Sequence, residues 1–162
     1  MTPELLEQLI SKHQRSLELF ASQWTSAPED CVQEAFLRLH RSDQNIANHR
    51  AWLFRVVRNL AIDQRRSEAS RTQREQFVGR QRPMFSHDVQ QSVDGQELRL
   101  ALEALDDGQR EIVVARIWGK LTLEEISESF GVAVSTVHRR YTTGIQTLQQ
   151  HFEVPCQNRI QK

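Results

Sequence analysis

The apolar residues of this chain recur at intervals of three and four, the spacing that places side chains on one face of an α-helix. Two amphipathic helices are predicted near the start, through Leu5, Leu6, Leu9, Ile10, Leu17 and Phe20 and then through Val32, Ala35, Phe36 and Leu39. The second should begin at Pro28, because proline suits the first turn of a helix. No stretch alternates apolar and polar residues over the length of a strand. The pattern therefore predicts an all-α fold.

The third predicted helix is the longest in the first half of the chain. It begins near Arg50 and runs past Arg66, after a loop over residues 42–49. Its apolar stripe is formed by Leu53, Val56, Val57 and Leu60. The opposite face carries polar and aromatic side chains at helical spacing, so one side of this helix is expected to remain in solvent.

The composition then changes to a segment rich in Gln, Ser and Arg, which is typical of a flexible linker. Helical spacing returns at Leu98, is interrupted at Asp106-Asp107-Gly108, and Gly119 is expected to end the next helix. We therefore expect two small helical bundles. The predicted boundaries are a first domain over residues 1–70, a linker over 71–96, a second domain over 97–152 and a tail over 153–162.

Two short helices near the end have the pattern of a helix-turn-helix. Thr122 and Glu125 stand at the spacing of a capping box, and Gly131 stands where the turn needs a positive φ angle. Val132 and Val134 are expected to pack the turn, and Ser135 or a neighbour to cap the second helix. The inner faces would consist of Leu123, Ile126 and Phe130, then Val137, Tyr141, Ile145 and Leu148.

That arrangement leaves polar groups outward near the start of the second short helix, where a recognition helix carries its base-reading side chains. The candidate DNA-binding residues are Ser135, Thr136, His138, Arg139 and Arg140. The alternative is a packed helical hairpin with a solvated polar face.

A second candidate surface lies on the long helix, opposite its apolar stripe. Arginines can contact phosphates, a flat aromatic can stack on an unpaired base, and an amide or carboxylate can read a base edge. Alternatively, Trp52 belongs to the core and Asn59 bonds locally to Asp63. The candidate residues are Arg50, Trp52, Arg55, Arg58, Asn59, Asp63, Arg65 and Arg66.

The chain carries 21 basic and 21 acidic residues, yet the charges are strongly segregated. Residues 50–82 contain nine arginines and three acids, whereas residues 83–128 contain four basic and ten acidic groups. Eighteen of the 21 basic residues are arginine, whose planar fork suits phosphates and base edges. Nucleic-acid binding is therefore compatible with zero net charge, although genomic composition alone can also produce an arginine excess.

Three segments together resemble the extracytoplasmic-function sigma factors. Residues 30–39, DCVQEAFLRL, and residues 50–66, RAWLFRVVRNLAIDQRR, resemble the second conserved region of that family. The helix-turn-helix with its lead-in, residues 105–148, resembles the fourth conserved region. The order of the regions, the polar linker and the chain length also fit, and the matches cover more than half of the chain.

The resemblance implies a dissociable promoter-specificity subunit of bacterial RNA polymerase. It implies that the second predicted helix binds the clamp helices of the β′ subunit, through Asp30, Gln33, Glu34, Leu37 and Arg38. The long helix would then engage the −10 promoter element and the recognition helix the −35 element. The implied partners are promoter DNA and the polymerase core, which would be bound through the β′ clamp helices and the β flap. The resemblance leaves open whether an anti-sigma factor also binds.

Three features depart from the family pattern. The loop Asn45–His49 is short and has His49 where an aromatic residue usually stands, which puts strand opening there in doubt. Asp106-Asp107 replaces the common Leu-Pro, and the recognition helix is less basic than usual after Arg140. Fewer phosphate contacts would make the isolated second domain a weak DNA binder.

Two other classes of function would require different features of the sequence. A stand-alone helix-turn-helix regulator would need a ligand pocket or dimer seam in the first half, and a recombinase or nuclease would need a nucleophile or carboxylate cluster. No catalytic residue, metal site or cofactor is expected, since no such motif occurs and Cys31 and Cys156 are isolated. The acidic N-terminus lacks the pattern of a signal peptide and no run is long enough to cross a membrane. We therefore expect a cytoplasmic protein without membrane insertion.

Overall fold

The computed structural model of the protein describes residues 2–42, 45–74 and 93–157, which fall into two compact units, Met1–Ser86 and His87–Lys162. The regular structure of these residues is entirely helical, so the all-α expectation is confirmed. In order, the helices are α1 (Pro3–Ala21), α2 (Pro28–Arg41), α3 (His49–Arg74), α4 (Val93–Glu103), α5 (Asp107–Ile117), α6 (Leu123–Phe130) and α7 (Val134–Gln157).

The predicted linker and tail are partly helical. Helix α3 continues to Arg74 because no glycine or proline occurs between residues 67 and 74, and α4 already begins at Val93. Helix α7 likewise runs on to Gln157. The centre of the predicted linker, residues 75–92, lies outside the described residues, as do the end of the tail and the side chain of Cys156.

The first unit is a bundle of α1, α2 and α3 around an aromatic centre. The ring of Phe20 meets that of Phe54 edge to face at 5.0 Å, a favourable arrangement of aromatic quadrupoles. Helix α2 buries the face predicted from its spacing. In α3, Val56 and Leu60 are only half-buried, whereas Phe54 and Ala61 are fully buried. The predicted stripe is therefore wrong in part, because α3 packs against both other helices and buries a different arc.

The second unit is built around α5. Six consecutive residues of this helix, Arg110 to Ala115, are buried, because α5 packs against both α6 and α7. Gly144 of α7 permits a close approach, since a Cβ atom there would lie 2.8 Å from Cγ2 of Val113. The Asp106 carboxylate caps α5 by accepting a hydrogen bond of 2.7 Å from the Gln109 amide.

The end of α5 differs from the sequence expectation. The helix ends at Ile117, two residues before Gly119. The left-handed residue of the following turn is Lys120, with a φ angle of 56°, rather than a glycine. The Arg116 guanidinium donates a hydrogen bond of 2.9 Å to the Leu121 carbonyl oxygen across this turn, which helps to hold it closed.

Candidate functional site

The helix-turn-helix has the local geometry predicted for it. The Thr122 hydroxyl accepts a 3.1 Å hydrogen bond from the Glu125 amide, and the Glu125 carboxylate accepts one of 2.7 Å from the Thr122 amide. This reciprocal pair satisfies two otherwise unpaired donors at the start of α6. Gly131 ends α6 in the left-handed region, with φ 66° and ψ 34°. The capping box and the glycine turn are therefore confirmed.

The outer face of α7 is accessible along its first turns. Ser135, His138 and Arg139 are exposed, and Thr136 and Arg140 are half-buried. Because α7 begins at Val134, Ser135 lies inside the first turn and does not stand at the cap position, contrary to expectation. The inner face is as predicted at Val137 and Leu148, which are buried, while Tyr141 and Ile145 are half-buried.

Val134 does not have the buried position predicted for it. It is 49% exposed at the first position of α7, whereas it was expected to pack the turn. Val132 is half-buried and fills that role alone. The sequence offers no signal for this exposure, because Val134 stands three residues before the buried Val137 and therefore shares its side of the helix.

The two helices of the motif carry opposite charge. Glu124 and Glu128 of α6 are exposed, and α7 has arginines at 139 and 140 with no acid in its first turn. The backbone amide of Glu124, followed by the Thr122 hydroxyl, lowers the pKa of the Glu124 carboxyl. This carboxyl is therefore ionised at neutral pH, so a polyanion is attracted to α7 and repelled by α6.

The second candidate surface is a continuous exposed strip of α3. Arg55, Asn59, Asp63 and Arg66 are all exposed, three or four residues apart. The Arg66 Nη1 atom lies 3.7 Å from the Asp63 Oδ1 atom, so Asp63 pairs with an arginine one turn later. The remaining candidates flank this strip: Arg65 is exposed, and Arg50, Trp52 and Arg58 are half-buried.

The loop before α3 has a structural role at its last residue. The Asn48 side-chain oxygen accepts a 3.0 Å hydrogen bond from the Ala51 amide and so caps α3. The adjacent His49 is the first residue of the helix and is half-buried. Trp52 follows within the same turn, which fixes its position beside the start of the exposed strip.

The third surface is the outer face of α2. Asp30, Gln33 and Arg38 are exposed, and Leu37, which stands between polar neighbours, is 39% exposed. The half-buried Glu34 accepts a 2.7 Å hydrogen bond from Nε of Arg38, so these two side chains form an ion pair. The structure thus brings all five predicted core-binding residues onto one helix.

A groove between α1 and α2 adjoins this face and was not predicted from the sequence. It has a volume of about 400 Å³ and a mostly apolar lining that includes several polar side chains. Two of the predicted core-binding residues, Gln33 and Leu37, line it. The other lining residues are Leu6, Ile10, Gln14, Glu18, Glu29, Val32, Phe36 and His40.

Other chemistry is sparse within the described part of the chain. No group of three or more His, Cys, Asp or Glu side chains there could hold a metal ion. Cys31 is buried and its thiol donates a 3.2 Å hydrogen bond to Oε1 of Gln64. Burial, followed by Asp30 and Glu68, raises the pKa of this thiol, which makes it a poor nucleophile.

Among the described helices, none is long and apolar enough to span a membrane.

The two units correspond to two known family descriptions. Residues 9–71 match sigma-70 region 2, and residues 101–150 match sigma-70, region 4. This chain belongs to the extracytoplasmic-function sigma factors. The sigma factor SigK of Mycobacterium ulcerans is 28% identical over 130 residues, which cover 75% of this chain and 70% of that relative. RpoE of Cereibacter sphaeroides is 25% identical over 133 residues, or 82% of this chain and 74% of that protein.

Solved structures show the same fold. The sigma factor RpoE of Bartonella quintana, in complex with the anti-sigma factor NepR, superposes with a TM-score of 0.73. It is 24% identical, and the superposition covers 94% of this chain and 99% of that one. CnrH, in complex with the cytosolic domain of CnrY, superposes with a TM-score of 0.66 over 94% of this chain and 90% of its own, at 22% identity.

The sigma factor is a promoter-specificity subunit of bacterial RNA polymerase that directs transcription initiation. Its partners are the polymerase core and promoter DNA. Sigma factors are non-enzymatic subunits of transcription initiation. Nothing in the comparisons favours a stand-alone regulator with a sensor or dimerisation domain.

Proposed function

We propose that this sigma factor docks on the β′ clamp helices of the polymerase core through the outer face of α2. The observation that carries this assignment is Leu37, 39% exposed at the edge of an apolar groove and next to the Glu34–Arg38 ion pair. An exposed apolar side chain within a polar rim is typical of an interface. The proposed contact residues are Asp30, Gln33, Glu34, Leu37 and Arg38.

The exposed strip of α3 would engage the −10 element. Arg55 and Arg66 are free enough of the core to reach phosphates, and the exposed Asn59 amide can read a base edge. The half-buried Trp52 presents part of its ring at the helix start, where it can stack on a base. The complete proposed set is Arg50, Trp52, Arg55, Arg58, Asn59, Asp63, Arg65 and Arg66.

The outer face of α7 would read the −35 element in the major groove. Its proposed contact residues are Ser135, Thr136, His138 and Arg139, joined by Val134, whose exposed methyl groups suit the methyl group of a thymine. Arg140 differs from this set in its contact with Gly108. In this proposal residues 1–70 act as region 2, residues 97–152 as region 4, and residues 71–96 as the tether between them.

In this proposal the chain acts only by binding the polymerase core and promoter DNA, and it catalyses no reaction itself. It would act in the cytoplasm, where the bacterial polymerase transcribes. Of the structural relatives described above, RpoE was solved with the anti-sigma factor NepR and CnrH with the cytosolic domain of CnrY. We infer that an anti-sigma protein also binds this chain.

Run-off transcription with purified core polymerase on a panel of promoter fragments tests this function. The full chain should direct specific start sites that core alone does not use, and it should co-purify with core. Transcripts that are identical with and without the chain would contradict the proposal. A promoter-selective chain that fails to bind core would instead favour a stand-alone regulator.

A further inference from the structure

Arg140 lies against the start of α5. A Cβ atom on Gly108 would be 2.9 Å from Nη1, 3.0 Å from Cζ and 3.2 Å from Nε of Arg140. These distances are shorter than ordinary contacts of a Cβ atom, so the guanidinium occupies the space that the glycine leaves open. Any larger residue at position 108 would displace it.

The position of Arg140 on α7 agrees with this contact. A helix turns about 100° per residue, so the Cα of Arg140 is about 100° from that of Arg139 and about 160° from that of His138. Gly144, one turn after Arg140, meets Val113 of α5. Arg140 therefore lies at the edge of the face that packs on α5, on the same side as Thr136 one turn earlier and turned away from His138 and Arg139.

The local charge also suits a cation. Gly108 follows two acids. The Asp106 carboxylate caps the start of α5, and the Asp107 carboxylate pairs with Arg110. Without these acids, a guanidinium at the positive end of a helix would be disfavoured. The Asp106-Asp107-Gly108 segment thus combines the negative charge of two acids with a glycine, whose lack of a Cβ atom leaves room for a flat cation.

We propose that Arg140 is a positioning residue, which fixes the recognition helix on α5 through its contact with Gly108 and does not contact a DNA phosphate. This inference rests on the proposed reading of the −35 element by α7. It also gives a structural role to the Asp106-Asp107-Gly108 segment, which departs from the family pattern: this segment would hold the Arg140 side chain. It also leaves Arg139 as the one arginine among the proposed base-reading residues of α7.

The two roles of Arg140 predict different behaviour on paired promoters that differ only in the −35 element. Loss of a phosphate contact lowers binding to both promoters equally, whereas loss of helix orientation removes base reading and so lowers the ratio between them. With the full chain assembled on core polymerase, Arg140→Ala should reduce this ratio by about fivefold or more, the scale of one lost base contact. Arg140→Lys should not restore it, because an ammonium group on a flexible stem cannot lie flat on Gly108.

Substitution of Gly108, the residue that Arg140 contacts, provides the decisive comparison. Gly108→Ala should lower the same ratio in the wild-type background, because the new methyl group displaces the guanidinium. In the Arg140→Ala background the space is empty, so Gly108→Ala should have no further effect. Such non-additivity is the signature of two residues that act through one contact.

The dependence of holoenzyme binding on salt separates the alternatives independently. Each phosphate contact contributes about 0.9 to the slope of log K against log salt concentration. Arg140→Ala should leave this slope unchanged. A slope reduced by about 0.9, rescue by Arg140→Lys, or wild-type discrimination in Gly108→Ala would each overturn the inference. Absence of any −35 preference in the wild-type holoenzyme would instead refute the proposed reading of DNA by α7.

Discussion

The Nε atom of Arg110 donates a hydrogen bond of 2.8 Å to the carbonyl oxygen of Leu102, eight residues earlier in the chain. The same buried guanidinium donates through Nη2 to the Leu105 carbonyl oxygen and through Nη1 to the Asp107 carboxylate. A single side chain therefore donates to a carbonyl group in the last turn of α4, to another in the turn that follows, and to one acid at the start of α5. These hydrogen bonds hold the turn between α4 and α5, and α5 is the helix against which the helix-turn-helix packs.

Removal of that side chain should weaken the second unit. Arg110→Ala removes the side-chain donor of the Leu105 carbonyl, leaves the Leu102 carbonyl only its 3.2 Å hydrogen bond from the Leu105 amide, and opens a cavity. We therefore expect a loss of about 3 kcal/mol in the free energy of unfolding. Chemical denaturation followed by circular dichroism measures it. Arg139→Ala is the matched control, because its guanidinium is exposed, and it should change stability by less than about 0.5 kcal/mol. Equal stability of both variants would contradict the assigned role.

Leu37→Glu should weaken binding to core polymerase by about tenfold or more, because it places a charge within the proposed apolar contact. Leu5→Glu is a close control, since Leu5 is 37% exposed and Leu37 is 39% exposed. Titration of labelled sigma factor with core polymerase gives both affinities. Similar losses for the two variants would show that the effect is not specific to the outer face of α2.

Asn59→Ala should change the base preference within the −10 element, because an exposed amide on α3 can discriminate between base edges by about 1–3 kcal/mol. Selection from a library of randomised −10 sequences, read by run-off transcription, gives the preference. Arg55→Ala is the comparison: its exposed guanidinium should serve all sequences alike through a phosphate. An unchanged preference in Asn59→Ala would remove this residue from the base-reading set.

Arg139→Ala should lower transcription selectively from promoters with the preferred −35 sequence. Its exposed guanidinium is on the outer face of α7 and can bind a guanine through two hydrogen bonds, typically worth about 1–3 kcal/mol. Run-off transcription from paired templates that differ only in the −35 element measures the effect. Equal losses on both templates would mean that Arg139 contacts the backbone and does not read a base.

The first unit should lose stability in mild acid. Burial, followed by the charges of Lys12 and Arg50, lowers the pKa of His13 below its ordinary value near 6.5. The unfolded chain therefore binds the proton more readily, so stability falls as pH decreases through 6.5 towards the lowered pKa. Calorimetric unfolding at pH 7.5 and pH 5.5 measures this loss. His13→Gln should show a smaller difference between the two conditions, and an equal difference would exclude His13 as its source.

Local signals were sufficient for much of the fold. The start of α2 at Pro28, the capping box at Thr122 and the left-handed Gly131 all depend on a few neighbouring residues, and each is present as predicted. The same applies to the exposed strip of α3, where residues at helical spacing share one side. Periodicity and capping chemistry act within one or two turns, so the sequence alone determines them.

The tertiary structure decided what depends on distant partners. Periodicity favoured Val56 and Leu60 as core residues of α3, but contact with α1 and α2 buries Phe54 and Ala61 more completely. The groove between α1 and α2 exists only when both helices pack. Likewise, Gly108 and Arg140 are 32 positions apart, and their contact arises from the crossing of α5 and α7. No local pattern encodes such proximity, because it depends on how whole helices pack against one another.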